Sequence, residues 1–294
     1  MNILRAMTVG MAVLAMVSAG AGTLPAVTSG SLFIHLDASV GVTADNGKVT
    51  QWAQVDDATG FGANGAEGFG GAFAVPGYAN APTLVPGALN GLPVVRFNGA
   101  DSNALQAVTD ENIVWQDGGA GRSVTIFFVL ANLTDTRGLM DGAPHNHNPI
   151  RFARSNFVAN QFNNDSEGLP VPLPTNTSFG VLFDFTHAGD ITTDSRVWDG
   201  YINGNSYPDS HSTGQSFILQ WLKPQLGSMN SGSGDGSFFT GDVAEVLMYN
   251  GVLSDTDRQA VEAYLMEKYN IGVPEPATMT LLTLGGLALL RRRK

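Results

Sequence analysis

The sequence predicts an all-β protein, an antiparallel sandwich or jelly roll carrying one C-terminal helix. Its apolar residues come in short, strand-like runs. Turn residues punctuate those runs, with 36 glycines and 14 prolines in 294 residues. No helical period recurs between them, which disfavours the parallel α/β classes.

Residues 31–36 (SLFIHL) alternate roughly and open the series. Asp45-Asn46-Gly47 is a hairpin signal ahead of the run 48–52 (KVTQW). Residues 94–97 (VVRF) run into Asn98-Gly99, and 123–130 (SVTIFFVL) form the most apolar segment, the expected central strand. Residues 179–185 and 196–202 follow, the latter leading into Asn203-Gly204, a second type I′ hairpin candidate. Residues 217–221, 225–226 and 238–249 complete the set. The helix is expected over 254–269, with Ser254 as N-cap and Asp257 three residues on completing a capping-box arrangement. Ala260, Val261, Tyr264, Leu265 and Lys268 fall on adjacent helical faces and are expected to pack against the sandwich. Two stretches read as loops: 57–80, with seven glycines, and 163–177, with prolines at 170, 172 and 174.

Both ends read as processing segments. Arg5 ends a short positive region, 6–17 is apolar, and Ala19-Gly20-Ala21 fits an A-x-A cleavage site, with Leu24-Pro25-Ala26 as an alternative. At the other end Pro274-Glu275-Pro276 precedes an apolar run over 277–290 and then Arg291, Arg292, Arg293 and Lys294. As a helix that run reaches about 21 Å, short of the roughly 30 Å hydrocarbon core. The terminal cations hold the cytoplasmic side, leaving Pro-Glu-Pro outside. This tripartite tail resembles the PEP-CTERM sorting signal of Gram-negative bacteria. The resemblance implies an exosortase-type membrane enzyme that recognises and cleaves the tail after transient membrane insertion. A plain C-terminal anchor is the alternative. The organisation is therefore 1–26 signal peptide, 27–272 folded domain and 273–294 sorting segment, with the two end segments expected to pack little against the domain.

Of the 15 Lys and Arg, five lie in those end segments, against 26 Asp and Glu in the whole chain. The strongly acidic remainder argues against nucleic acid, whose binding requires phosphate neutralisation by cations. There are no cysteines, so disulfides, thiolate metal sites and a Cys nucleophile are excluded.

Leu36-Asp37-Ala38-Ser39, the run 47–52 and the run 95–99 look like successive landmarks of the concanavalin A-like or LamG-like family of bacterial surface proteins. So does the run 241–249 (GDVAEVLMY), followed by Val252-Leu253-Ser254-Asp255 and the helix 258–269. The resemblance covers residues 30–272 and implies a two-sheet jelly roll, matching the reading from pattern. Related glucanases carry a Glu-x-Asp-x-x-Glu strand, and none of Glu67, Glu111, Glu167, Glu245, Glu262 or Glu267 stands in that spacing. Glu245 with Asp242 makes only Asp-x-x-Glu and reads as a paired or edge carboxylate.

Other chemistry is sparse. No Gly-x-Ser-x-Gly elbow is present, and the Gly-rich run around Ser233 lacks the Lys-Ser/Thr of a phosphate loop. His145-Asn146-His147 near Asp141 offers two imidazoles, but Pro144 and Pro149 mark it as a loop; His35, His187 and His211 stand alone. Calcium is the one cofactor the sequence supports, since LamG-like domains often hold one at the sandwich rim. The candidate ligands are Asp45, Asp56, Asp57, Asp101, Asp235 and Asp242, in or beside expected loops. For a sugar, Trp115 is the best exposed aromatic, with Trp198 and Tyr201 beside a hairpin, while Trp52 reads as core. The expectation is an exported, non-catalytic surface or matrix protein that binds extracellular polysaccharide or adheres. A glycoside hydrolase or polysaccharide lyase on the same fold and a purely structural matrix component are the alternatives.

Overall fold

The computed structural model describes residues 23–55, 72–77, 79–108, 113–114, 124–134, 138–143, 150–153, 156–162, 165–169, 180–190, 195–209, 220–221, 223–228 and 238–272. The described residues form antiparallel strands arranged in two layers, followed by a single helix, α1 (Asp255–Tyr269). The first layer runs Ser31–Asp37, Gly241–Asn250, Val124–Ala131, Val181–Asp190, Ser195–Ile202, Asn205–Asp209 from edge to edge. The second runs from Val42–Asp45 through Lys48–Ala53, Ala72–Ala74, Leu105–Ala107, Lys223–Leu226 and Gly138–Ala143. It ends with Ile150–Ala153, Asn156–Phe162 and Asp165–Leu169. Leu92–Phe97 and Thr83–Leu89 bridge the layers, pairing at one end with the closing strand Gly241–Asn250 and at the other with Lys48.

The segment expected to be central is central: Val124–Ala131 is buried along its whole length between the closing strand and Val181–Asp190. Alternate side chains of a strand point to opposite faces, and here both faces are covered. Val124, Ile126, Phe128 and Leu130 enter the inter-layer core with Phe33, Trp52, Phe73, Leu105 and Leu226. Phe127 and Val129 enter a second core under α1 with Leu182, Leu247, Tyr249, Val261 and Leu265.

Asn46-Gly47 and Asn203-Gly204 make the expected tight hairpins, with φ of 49° and 78°, and of 50° and 75°. The two expected loops are only partly loops. Ala72–Ala74 is a strand inside the Gly-rich stretch, and Asp165–Leu169 is one ahead of the prolines. Both are short and pair with a neighbour already in the sheet, so pairing overrides weak local propensity. Ala260, expected to pack, faces solvent.

Where the layers meet, the Phe97 ring lies against the backbone of Gly227, whose φ is +87°. A Cβ there would stand 2.3 Å from Phe97 Cδ1. Gly227→Ala is therefore expected to cost roughly 2–4 kcal/mol through overpacking and left-handed strain combined. Denaturant unfolding reads it, and an unchanged midpoint would contradict this packing.

Candidate functional site

Most of the buried ionisable side chains among the described residues gather under α1, on the outer face of the first layer. Two β-bulges put them there. In the opening strand the register shifts between Leu32 and Ile34, so Phe33 and Ile34 both serve the inter-layer core. His35 and Asp37 thereby come to the helix side. In the closing strand the shift falls between Val243 and Glu245. Val243, Val246 and Met248 remain in the inter-layer core, while Glu245 joins Leu247 and Tyr249 on the helix side. One extra residue in a strand reverses the facing of all that follow.

Glu245 is the hub. Its Oε1 lies 2.9 Å from His35 Nε2, and its Oε2 accepts from Lys268 Nζ at 2.6 Å and from the Tyr269 hydroxyl at 2.8 Å. Lys268 Nζ also donates to Asp37 Oδ2 at 2.6 Å. Asp37 Oδ1 accepts from the backbone N–H and the hydroxyl of Ser39, at 2.7 and 2.6 Å. All five of these side chains other than Ser39 are buried. Burial works against the Lys268 ammonium, but Glu245 and Asp37 together outweigh it and hold its pKa above the usual lysine range. Burial likewise opposes the Asp37 carboxylate; Lys268 and Ser39 overcome it and hold that pKa low. The Tyr269 hydroxyl is pushed far up by burial and by Glu245, and stays a donor.

A second cluster sits nearer the helix start. Arg258 pairs with Glu262 one turn on and reaches Asp255 at 3.4 Å, and its guanidinium lies 3.6 Å from the centre of the Tyr201 ring. Beneath them Asp184 is completely buried, with no donor to either oxygen among the described residues. Burial and then the neighbouring Glu262 carboxylate raise its pKa well above the usual range. A protonated Asp184 can donate to Glu262, which resolves its missing partners. This is a close acid pair, but Asp184 has no exposed surface and Glu262 is 4% exposed.

The N-terminus of α1 holds a third contact. Ser254 caps the helix as expected, its hydroxyl accepting from the Asp257 N–H. The Asp257 carboxylate does not return the bond. Its Oδ2 takes the N–H groups and hydroxyls of Thr28 and Ser29 instead, and the Ser254 N–H donates to Ser29 Oγ. These bonds, led by the Ser29 hydroxyl, lower the Asp257 pKa to about 2. Leu24 and Val27, just upstream, are half-buried against the second core. Leu24 lies inside the expected signal peptide, so that part of 1–26 packs on the domain. Cleavage after Ala26 would strip Leu24 from the core, whereas cleavage after Ala21 would leave it in place.

Of the residues singled out by sequence, Asp242 is buried, bound by Arg96 at 2.6 and 2.8 Å and by Asn132 at 2.6 Å. Asp45 and Asp101 are exposed, beside Asn46 and Asn98 respectively. These three do not come together. The group of metal-ligand types within mutual reach among the described residues is instead His35, Asp37 and Glu245, and Lys268 Nζ already sits between its carboxylates. Tyr201 is buried beneath Arg258, so its ring is no open platform. Trp198 lies in Ser195–Ile202, its backbone opposite His187 and Asp209. Asp56, Asp57, Asp235, Trp115, His145, His147, the segment 1–22, and the tail residues Pro274, Glu275, Pro276, Arg291, Arg292 and Arg293 lie outside the described residues. Sequence reasoning missed His35, Asp184, Arg258 and Glu262. One signal was available, an Arg–Glu pair at i, i+4 on the face that carries Val261 and Leu265.

Residues 272–294 match the PEP-CTERM protein-sorting motif. The chain thus carries that signal, which marks an exported protein of a Gram-negative bacterium and implies exosortase processing. No curated protein matches the sequence. Among solved structures the chain is similar to an arabinofuranosidase complexed with arabinofuranosyl-α-1,2-xylobiose, at 14% identity and TM-score 0.50, over 76% of this chain and 51% of that one. It is also similar to the binding domain of botulinum neurotoxin DC in complex with SialylT, at 12% identity and TM-score 0.49, over 80% and 52%. The binding domain of Paraclostridial Mosquitocidal Protein 1 gives 12% and 0.47, over 80% and 52%. This chain spans about half the length of each of the three. At such identities the likeness is one of fold, an antiparallel β-sandwich.

The acid pair makes stability depend on pH. With the folded-state pKa of Asp184 raised above its unfolded value, the folded state binds more protons between the two, and the contribution of this carboxyl to stability falls as pH rises through that range. Asp184→Asn removes that slope while Glu262, Arg258, Tyr201 and Asp255 remain. Thermal unfolding from about pH 4 to about pH 8 is expected to show the variant gaining on the wild type as pH rises. Parallel curves would mean that Asp184 is charged in the fold.

Proposed function

We propose that this is an exported, non-catalytic protein of the cell surface or extracellular matrix, whose β-sandwich binds extracellular polysaccharide. The observation that carries the reading is the sorting motif joined to a sandwich in which most buried carboxylates among the described residues face a cation of the same chain. Asp37 and Glu245 face Lys268, Asp242 faces Arg96, and Glu262 faces Arg258. Glycoside hydrolysis needs an acid and a base flanking a bond that substrate can reach. Among the described residues the close carboxyl pairs, Asp184 with Glu262 and Asp37 with Glu245, lie under the helix with almost no exposed surface. The carbohydrate part of the reading draws on the LamG-like resemblance of the sequence and on a fold shared with a sugar-bound arabinofuranosidase, since this fold carries lectins and enzymes alike. The tail supports export, with an exosortase-type enzyme as the processing partner, and placement at the surface or in the matrix is the destination proposed for the exported chain. Calcium remains the proposed cofactor.

The purified exported chain, passed over immobilised bacterial exopolysaccharides and a glycan array, is expected to be retained, and more weakly in EDTA than in calcium. Equal retention in both would remove calcium. No retention in either would favour a structural matrix component, and release of reducing sugar would replace the reading with an enzyme.

A further inference from the structure

We propose that Lys268 and Asp37 become joined by an intramolecular isopeptide bond, with Glu245 as the group that moves the proton. Three reactants of amide formation meet here in one buried place. The nucleophile Lys268 Nζ lies 2.6 Å from Asp37 Oδ2, and the base, Glu245 Oε2, lies 2.6 Å from the same Nζ. Asp37 Oδ1 faces the N–H and hydroxyl of Ser39, two donors set where negative charge develops when the carboxyl carbon is attacked. His35 and Tyr269 hold the Glu245 carboxylate from its other sides and act as positioning residues.

The step balances without a co-reactant. A proton passes from the Lys268 ammonium to Asp37 Oδ2, giving a neutral amine beside a neutral acid. Burial favours this transfer by removing water from the two charges, while the pairing that holds Lys268 charged and Asp37 ionised opposes it, so the neutral pair is a minor form drawn off by the reaction. Nζ then attacks Asp37 Cγ, and a C–N bond forms while Oδ1 takes the negative charge, stabilised by Ser39. Glu245 accepts a proton from the attacking nitrogen and returns it to Oδ2. The Cγ–Oδ2 bond breaks, Oδ2 leaves as water, and the carbonyl at Oδ1 re-forms. Glu245 ends as it began. The buried pairing holds amine and carboxyl side by side, which removes the entropic cost of bringing them together from solution. The same three acid and imidazole groups offer donors for a metal, but Nζ stands between the carboxylates and makes the site a reaction centre for lysine instead.

Mass spectrometry of the full chain tests it directly. The intact mass is expected to be one water below that of the sequence between its observed termini. A tryptic digest is expected to contain a branched peptide joining the segment with Asp37 to the segment with Lys268. Asp37→Ala should abolish the branch, and Glu245→Gln should abolish it or slow its appearance by at least tenfold. A wild-type chain at full mass, or one lighter by a water but lacking the branched peptide, overturns the proposal. If Glu245→Gln forms the branch as readily as the wild type, the role given to Glu245 is overturned. Failure of either variant to fold leaves the wild-type measurement decisive by itself.

Discussion

Glu245 is a carboxylate taken wholly out of water, and much of the domain is arranged to keep it there. Isolated, such a charge costs several kcal/mol of lost hydration. Here it is met by Lys268, Tyr269 and His35 at once. That arrangement requires the first strand, the last strand and the end of α1 to be in register with one another. A helix whose buried face carries Asp257, Arg258, Glu262 and Lys268 beside Val261, Leu265 and Tyr269 does not dock by apolar contact alone. Its docking is instead made specific by charges with one correct set of partners. Val261 and Leu265 supply the apolar middle between the two ionic clusters.

The bulges show how this was built from ordinary strands. Without the shift near Leu32, His35 and Asp37 would face the inter-layer core, where Phe33, Trp52 and Phe128 offer them no partner. Without the shift near Glu245, its carboxylate would point the same way. Each irregularity converts a hydrophobic strand with a misplaced polar residue into one with polar groups on the helix side. The cost of a disrupted ladder at two places is offset by satisfying several buried charges that would otherwise be unpaired.

Much of the fold was legible because strand signals are local. The run 123–130 is too apolar and too β-branched to be anything but a buried strand, and Asn-Gly dictates its own turn. The missed strands Ala72–Ala74 and Asp165–Leu169 depend on a partner strand, which no local window contains. The site was far less legible for the same reason. Asp37 and Lys268 are separated by 231 positions, and the facing of His35 and Glu245 depends on bulges with no sequence mark. Glu245 was readable as a paired carboxylate from its apolar surroundings, but its partners were not. The aspartates expected near loops were chosen by residue type alone. Asp242 turned out to satisfy Arg96 and Asn132 inside the domain, because a carboxylate at the start of a buried strand meets protein before it meets solvent.

The first described segment and the first strand are both tied to α1, and that bears on how an exported domain without cysteines stays folded. Thr28 and Ser29 are tied to Asp257 at the helix start, while Lys268, just before the sorting segment, is tied to Asp37 in the first strand. A pull on either terminus therefore acts on the same helix. Ion pairs resist it only as long as water is kept out, since each partner regains its hydration once exposed. A covalent link across the 37–268 contact would close nearly the whole domain into one loop. By the loop-closure relation used for disulfides, constraining a loop of that length is worth about 5 kcal/mol. Such a link would need no oxidant and would survive any redox environment outside the cell. The position of the contact, at the last turn before the tail, is where a staple would transmit least of an external load to the sandwich.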